Sequence, residues 1–346
     1  MPQQVRIGTR ASTLALTQTG HVADALAAHG GLDLETVRVR TDGDRFTGSL
    51  ASLGGAGVFV TALRDALLDG RCDVAVHSLK DLPTADAPGL VLAAVPPRED
   101  PRDALCARDG LTLAGLPEGS RVGTGSPRRA AQLLAARPDL DVVDIRGNVD
   151  TRLGRVAGST TGPGDLDAVV LARAGLARIG RLEAVTELFG PDVMLPAPGQ
   201  GALAVETRAG GLTTDVVAPL AAALRALDHR PTRLAVLAER ALLARLEAGC
   251  AAPVGTLAVL ADDGTLTLEA VVVRTDGTAS LRRSGQVVLT PASGPDGPTG
   301  GHDVGSASDE GTSAADATAA HALGVALADD LLAAGAGDLA DLRSTR

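Results

Sequence analysis

Apolar and polar positions along the first ninety or so residues switch repeatedly between two rhythms. VRIGT at 5–9 is a short apolar run that suits a buried strand, and STLALTQTGHVADALAAHG at 12–30 follows with helical spacing. Ser12 is the predicted N-cap of that helix and Gly30 or Gly31 its stop. LETVRVRT at 34–41 alternates as a strand does, and the glycine-rich SLGGAGVF at 52–59 leads into a helix over 60–70. CDVAVHSLKDLP at 72–83 reads as a strand that gives way to a turn at Ser78, and LVLAAVPP and DALCA as further strands. This alternation predicts a mostly parallel sheet covered by helices.

The rhythm restarts after PPREDPRD. SRVGTGS is a strand and turn, and SPRRAAQLLAAR a helix with Ser126 at its N-cap and Pro127 in its first position. DVVDIRGN, VDTRLGRV and LDAVVLARAGLARIG repeat the strand-to-helix pattern, giving a second α/β lobe. LPAPGQGALAVETR at 195–208 ends in a strand that can cross back to the first lobe. Two such lobes leave a cleft at their strand ends, where α/β folds place ligands.

Beyond about residue 215 the pattern changes to a small α+β unit. PTRLAVLAERALLARLEAG is a long amphipathic helix stopped at Gly249, VGTLAVLADDGTLTLEAVVVRTDG a hairpin turning at DDG, and AAHALGVALADDLLAAG a last helix. Residues 291–315, rich in Gly, Ser, Pro and Asp, read as a disordered insertion. The expected division is therefore 1–97 with 195–214 as domain 1, 98–194 as domain 2 and 215–346 as domain 3.

Composition narrows the function. A chain of 346 residues with a net charge of −10 and no Trp or Tyr offers neither the positive surface nor the stacking platforms of a nucleic-acid binder. Three widely spaced cysteines suit neither a disulfide framework nor a metal site. No apolar run reaches membrane-spanning length, and MPQQVRIGTRAS lacks the features of a secretory signal, so a cytoplasmic protein is expected. Of the 32 basic side chains only Lys80 is a lysine. Where drift has written nearly every cation as arginine, a surviving lysine suggests a place that needs a compact ammonium.

The arginines recur where strands feed helices. GTRAS offers Arg10 and Ser12, GTGSPRR offers Ser126, Arg128 and Arg129, and IRGN, DTRL and ARIG add Arg146, Arg152 and Arg178. Guanidinium forks and helix N-termini both suit carboxylates or phosphates, so a polyanionic ligand is expected in the cleft. Asp81, in the turn beside Lys80, can bind an N–H-bearing substrate or move a proton, although an acid in such a turn also serves structure alone. Cys250 sits on a turn of small residues. No cysteine-protease motif marks it, and its local reading leaves filler and covalent attachment both open.

Taken in order over roughly 4–285, RIGTRAS, GVFV, DVAVHSLKDLP, REDPRDAL, VGTGSPRRAAQL, IRGNVDTRL, LPAPGQGALAVE and AERALLARLEAGCAAPVG resemble the porphobilinogen deaminases, or hydroxymethylbilane synthases. The resemblance implies an α/β fold of two periplasmic-binding-protein-like lobes plus a smaller α+β C-terminal domain. It implies a dipyrromethane cofactor held by a thioether to Cys250, Asp81 as the catalytic acid, and carboxylate binding by Arg10, Ser12, Lys80, Ser126, Arg128, Arg129, Arg146, Arg152 and Arg178. The implied substrate is porphobilinogen and the implied product a linear tetrapyrrole, made by a monomer without metal, membrane or nucleic-acid partners. Two positions depart from the family's pattern: Ala56 stands where a lysine is frequent, and Ala251 where glutamine often follows the cofactor cysteine. The rival reading is a non-catalytic two-lobed anion-binding protein.

Overall fold

The computed structural model describes residues 4–39, 57–210, 217–249, 252–290, 312–340 and 342. Ala56, Cys250, Ala251 and most of the expected insertion, 291–311, lie outside the described residues.

The first unit holds β1 (Gln4–Thr9), α1 (Thr13–Gly30), β2 (Asp33–Arg38), α2 (Gly57–Leu68), β3 (Val74–Ser78) and β4 (Leu90–Ala94). The second holds β5 (Asp103–Ala107), β6 (Arg121–Gly123), α3 (Pro127–Ala136), β7 (Asp141–Val143), α4 (Val149–Leu153), β8 (Ala168–Ala172), α5 (Arg173–Arg178) and β9 (Glu187–Leu188). The chain then returns to the first sheet as β10 (Leu203–Arg208), followed by α6 (Val217–Leu227). A third, smaller unit contains α7 (Arg230–Arg245), β11 (Val254–Leu260), β12 (Thr265–Val273), β13 (Ser280–Val288), α8 (Ala314–Ala333) and α9 (Ala336–Leu339). The molecule is thus a mixed α/β protein with a smaller α+β unit at its C-terminal end.

The two large sheets share one plan. Their strand orders are β2-β1-β3-β10-β4 and β7-β6-β8-β5-β9. In each, the first three strands are mutually parallel and the fourth runs antiparallel to both neighbours. The expected mostly parallel first sheet is found, with β2, β1, β3 and β4 running one way and β10 alone opposed. Apolar alternation identifies a strand but not its direction; direction follows from the chain's route, and β10 arrives from the other lobe. The two connectors that cross between lobes lie side by side, with the Glu99 N–H donating to the Gly201 carbonyl at 3.2 Å.

Local chemistry explains most element ends. The Ser12 hydroxyl accepts the Ala15 N–H, and Gly31 closes α1 in the left-handed conformation at φ 59°. Ser126 occupies the N-cap position of α3, without a side-chain cap bond, and Pro127 opens the helix. α7 does not run to Gly249. It ends at Arg245, and Glu247 takes the left-handed position at φ 53°. The Ala248 N–H reaches the Leu243 carbonyl and the Glu247 N–H that of Ala244, the paired closure of a Schellman turn. The last helix starts inside the expected insertion, at Ala314, because Ser313 caps it by accepting the Asp316 N–H at 3.0 Å.

The expected hairpin is a three-stranded antiparallel meander, with β13 paired along β12. β13 is a largely exposed edge whose polar residues hide its strand character. The cores are aliphatic, and two clusters join units. Val236 of α7 packs with Leu79, Val95 and Ala204, and Ala131 of α3 packs with Leu195, Val271 and Val273. The third unit therefore braces both lobes.

Candidate functional site

At the end of β3 the chain tightens into a 3-10 turn, Leu79–Asp81. Leu79 is buried beneath it, so Lys80 and Asp81 are left half-buried on the side away from the core. The Lys80 Nζ lies 3.5 Å from Gln200 Oε1. Its pKa falls to about 8, first because it is enclosed and then because the Arg129 charge opposes its own; the Asp81 and Asp103 carboxylates only partly offset this. Lys80 from the first lobe and Arg129 from the second thus lie close enough for their charges to repel.

Arg128 and Arg129 begin α3, and both are buried. Each reaches Asp103, the first residue of β5. Arg128 Nη1 donates to Asp103 Oδ2 at 2.7 Å and to the Leu195 carbonyl at 2.6 Å. Arg129 Nε donates to Asp103 Oδ1 at 3.0 Å, and its Nη1 to the Val170 carbonyl at 3.1 Å. Asp103 is fully buried, and these two cations hold its carboxyl far below the usual carboxylate range. Much of each fork is therefore spent inside the protein, which the sequence reading of two cleft-facing arginines did not anticipate. Arg128 Nε is buried with no hydrogen-bond partner among the described residues.

Arg146 follows β7, half-buried, and donates to Asp144 at 3.3 Å; its Nε is also buried and has no partner among the described residues. Arg152 on α4 donates through Nε to the Gly147 carbonyl at 2.9 Å. Burial and the neighbouring Arg129 and Arg146 charges bring its pKa down to about 10. Lys80, Asp81, Arg128, Arg129, Arg146 and Arg152 therefore belong to one cluster, in which cations outnumber the acids that could neutralise them.

The remaining positions stand apart from that cluster. Arg178, on α5, donates to the Gly201 carbonyl at 2.6 Å, and burial lowers its pKa. Arg10 is half-buried between β1 and the start of α1, while the Ser12 hydroxyl is engaged in capping. Ser126 is half-buried. Cys250 lies outside the described residues. Its flanks are held, with the Gly249 N–H on the Leu342 carbonyl at 3.3 Å and the Ala252 N–H on the Gly249 carbonyl at 3.0 Å. Among the described residues no group of His, Cys, Asp or Glu could hold a metal ion, and no helix is long and apolar enough to cross a membrane.

A family model described as porphobilinogen deaminase, dipyromethane cofactor binding domain, matches residues 5–215, and the model for the C-terminal domain of the same enzyme matches 233–292. The chain belongs to the porphobilinogen deaminase family. A porphobilinogen deaminase of Leifsonia xyli is 56% identical over 342 residues, covering 99% of this chain and 96% of the relative. That of Micrococcus luteus is 55% identical over 96% of this chain and 93% of its own length, and that of Thermobifida fusca 58% identical over 82% and 86%. Among solved structures, a periplasmic substrate-binding protein of an ABC transporter from Coxiella burnetii is similar over 64% of this chain and 91% of its own. The identity is 16% and the TM-score 0.39, too loose a likeness to bear on function.

Three residues that organise this deaminase cleft carried no sequence prediction. Asp103 neutralises the α3 arginines, and its signal is an acid at the head of the otherwise apolar strand DALCA. Gln200 lies between two glycines and bonds to Asp103 and Lys80. Glu239 is fully buried on α7, where an acid interrupts the apolar stripe of Ala235, Ala238 and Leu242. It accepts from Arg98 Nη1 at 2.7 Å, the Gly199 N–H at 2.6 Å and the Ala258 N–H at 2.8 Å, tying the third unit to both crossing connectors.

Proposed function

We propose that this cleft condenses four porphobilinogen molecules, with loss of their amino groups, into the linear tetrapyrrole hydroxymethylbilane. The observation that carries the reading is the cation cluster. Lys80 and Arg152 each hold their proton less firmly, first because they are enclosed and then because neighbouring arginines crowd them. A ligand bearing several carboxylates relieves that repulsion, and every porphobilinogen ring brings two. The unpartnered Nε–H groups of Arg128 and Arg146 suit the same ligand, so the residues present fit a dipyrromethane with its four carboxylates.

Held through a thioether to Cys250, the dipyrromethane supplies the pyrrole carbon to which the growing chain is joined. Lys80, Arg146 and Arg152 bind ring carboxylates, with Arg10, Ser12, Ser126 and Arg178 extending the surface. Arg128 and Arg129 contribute the N–H groups that Asp103 leaves free. The Asp81 carboxylate accepts pyrrole N–H groups, steadies the positive charge that develops as ammonia departs, and hands a proton to the leaving amine when protonated. The same reading takes the chain as a cytoplasmic monomer with domains at 1–97 plus 195–214, 98–194 and 215–346, although α6 at the head of the last packs into the core of the first.

The test combines mass and turnover. Protein purified from cells that make porphobilinogen should carry an added dipyrromethane, absent in Cys250→Ala. Asp81→Asn should fold and load normally yet lose about two orders of magnitude or more in hydroxymethylbilane formation. Unmodified, folded parent protein would refute the cofactor assignment. Near-parental turnover by Asp81→Asn would remove that carboxylate from its role.

A further inference from the structure

The turn APGQG at 197–201 carries the chain from the second lobe back to the first, and groups from all three units converge on it. Gly199 and Gly201 are both left-handed, at φ 72° and 86°. A Cβ on Gly199 would strike Leu79, and one on Gly201 would strike the Glu99 carbonyl, so each site needs glycine for space as well as for conformation. The backbone here is held from several sides. The Gly199 N–H goes to Glu239, the Gln200 carbonyl accepts from Arg98 Nε at 2.8 Å, and the Gly201 carbonyl accepts from Arg178 at 2.6 Å.

With its backbone clamped, Gln200 has one direction for its side chain, which is 1% exposed. Nε2 donates to the Pro101 carbonyl at 2.7 Å and to Asp103 Oδ1 at 2.8 Å. Both amide hydrogens are therefore spent on acceptors, and Oε1 is left to face Lys80. The flipped amide would set its carbonyl against a carboxylate and its hydrogens against an ammonium, so the orientation is decided by the partners.

We infer that Gln200 is a positioning residue of the cleft: its amide sets where the Lys80 ammonium stands and ties that position to the Asp103–Arg128–Arg129 cluster. The inference rests on the proposed function, which gives Lys80 a carboxylate to bind. The charged groups around Lys80 are Arg128 and Arg129 on α3, Asp103 on β5, and Asp81 beside it. Against two arginines, a carbonyl that accepts from the ammonium favours the protonated form, and losing it makes that proton easier to remove.

Because Lys80 is the chain's only lysine, uniformly 13C-labelled lysine gives a single Cε resonance whose pH titration reports this site alone. In Gln200→Met, which keeps length but neither donates nor accepts, the midpoint should fall by about one pH unit, the scale of one hydrogen bond to a charged group. KM for porphobilinogen near pH 7.5 should rise roughly threefold, as the protonated fraction of Lys80 falls by that factor, with kcat changed less. Gln200→Glu keeps an acceptor for Lys80 but gives up both donors and sets a second carboxylate beside Asp103, so its midpoint should rise above the parent's. Gln200→Asn, which keeps the donors on a shorter side chain, is the second variant if the methionine protein folds poorly, and its midpoint should fall as in Gln200→Met.

A Lys80 midpoint unchanged in folded Gln200→Met would overturn the inference. So would a shifted midpoint with parental KM and kcat, or a thermal midpoint that drops while titration and KM stay put. A parent protein that fails to turn over porphobilinogen is a different failure, seen before any variant is made, and it strikes the proposed function.

Discussion

Replacing Asp103 by asparagine is the most severe conservative change the structure offers. The carboxylate is fully buried and receives Arg128 Nη1 at 2.7 Å, Arg129 Nε at 3.0 Å and Gln200 Nε2 at 2.8 Å. Asparagine keeps the shape but removes the charge, leaving two guanidinium groups in the interior with no acid against them. Its NH2 group must also point at one of these donors. Removing one partner of a buried ion pair costs about 3–5 kcal/mol, chiefly through the charge left behind. Two stranded cations place Asp103→Asn at the upper end of that range or above it. With a urea m-value of about 3 kcal/mol/M, the midpoint should fall by at least about 1 M. The assay is urea unfolding followed by far-UV circular dichroism at pH 7, with Asp139→Asn as control. Its carboxylate pairs with Arg137 near the surface, where water screens the pair, and the change should move the midpoint little. A midpoint loss for Asp103→Asn no greater than for Asp139→Asn would mean that the cluster does not need its acid, and the account of α3 given above would fail.

Acid should loosen the protein in a defined window. Glu206, held by Arg64 at 2.7 Å and near His77, has its pKa lowered from 4.5 to about 2, and Asp316, held by Arg230, from 3.8 to about 2. A depressed carboxylate contributes stability that is complete above its unfolded pKa and lost as pH falls through the folded one. The urea midpoint should therefore decline between about pH 4.5 and 2, Glu206 contributing about 3 kcal/mol. Glu206→Gln should flatten that decline, and a parental acid profile in this variant would contradict the assignment. A second measurement concerns the hairpin tip between β12 and β13. Gly277, at φ 77°, lies so close to α3 that a Cβ would stand 2.5 Å from backbone atoms of Leu134 and Ala135. Gly277→Ala should lower stability by about 2–4 kcal/mol, whereas Gly70→Ala, at φ 69° with open space around it, should lose only the left-handed term of about 1 kcal/mol. Equal thermal shifts for the two would show that the hairpin does not press on the helix.

Most strands and helices could be read from the chain because their signals are local. Ser12, Gly31 and Pro127 mark boundaries through hydrogen bonds and dihedrals that span only a few residues. The family resemblance added the identity of the site residues, which no periodicity supplies. What escaped was decided at long range. Whether β10 runs with or against β3 depends on where the chain has been in the intervening 120 or so residues. The premature end of α7 was hidden because Glu247, rather than the nearby glycine, takes the left-handed position. Arg128 and Arg129 look in sequence like a cleft-facing pair. Only the fold brings Asp103 beneath them, from a strand about twenty-five residues earlier.

The crossing connectors give the cleft its particular chemistry. Each large sheet contains one antiparallel strand next to a crossing connector, but only the first lobe is assembled from two stretches of chain, because β10 returns to it after the second lobe, β5 to β9, is complete. The two crossings run together at Glu99 and Gly201, beside the cation cluster. Glu239 then fixes this junction from the third unit by taking up Arg98 and the Gly199 N–H, while Gln200 carries the constraint on to Lys80 and Asp103. The turn thus joins the three units through hydrogen bonds of its own backbone and side chain, so a change at Glu239 in the third unit is expected to reach Lys80 and Asp103 through Gly199 and Gln200 rather than through any direct contact.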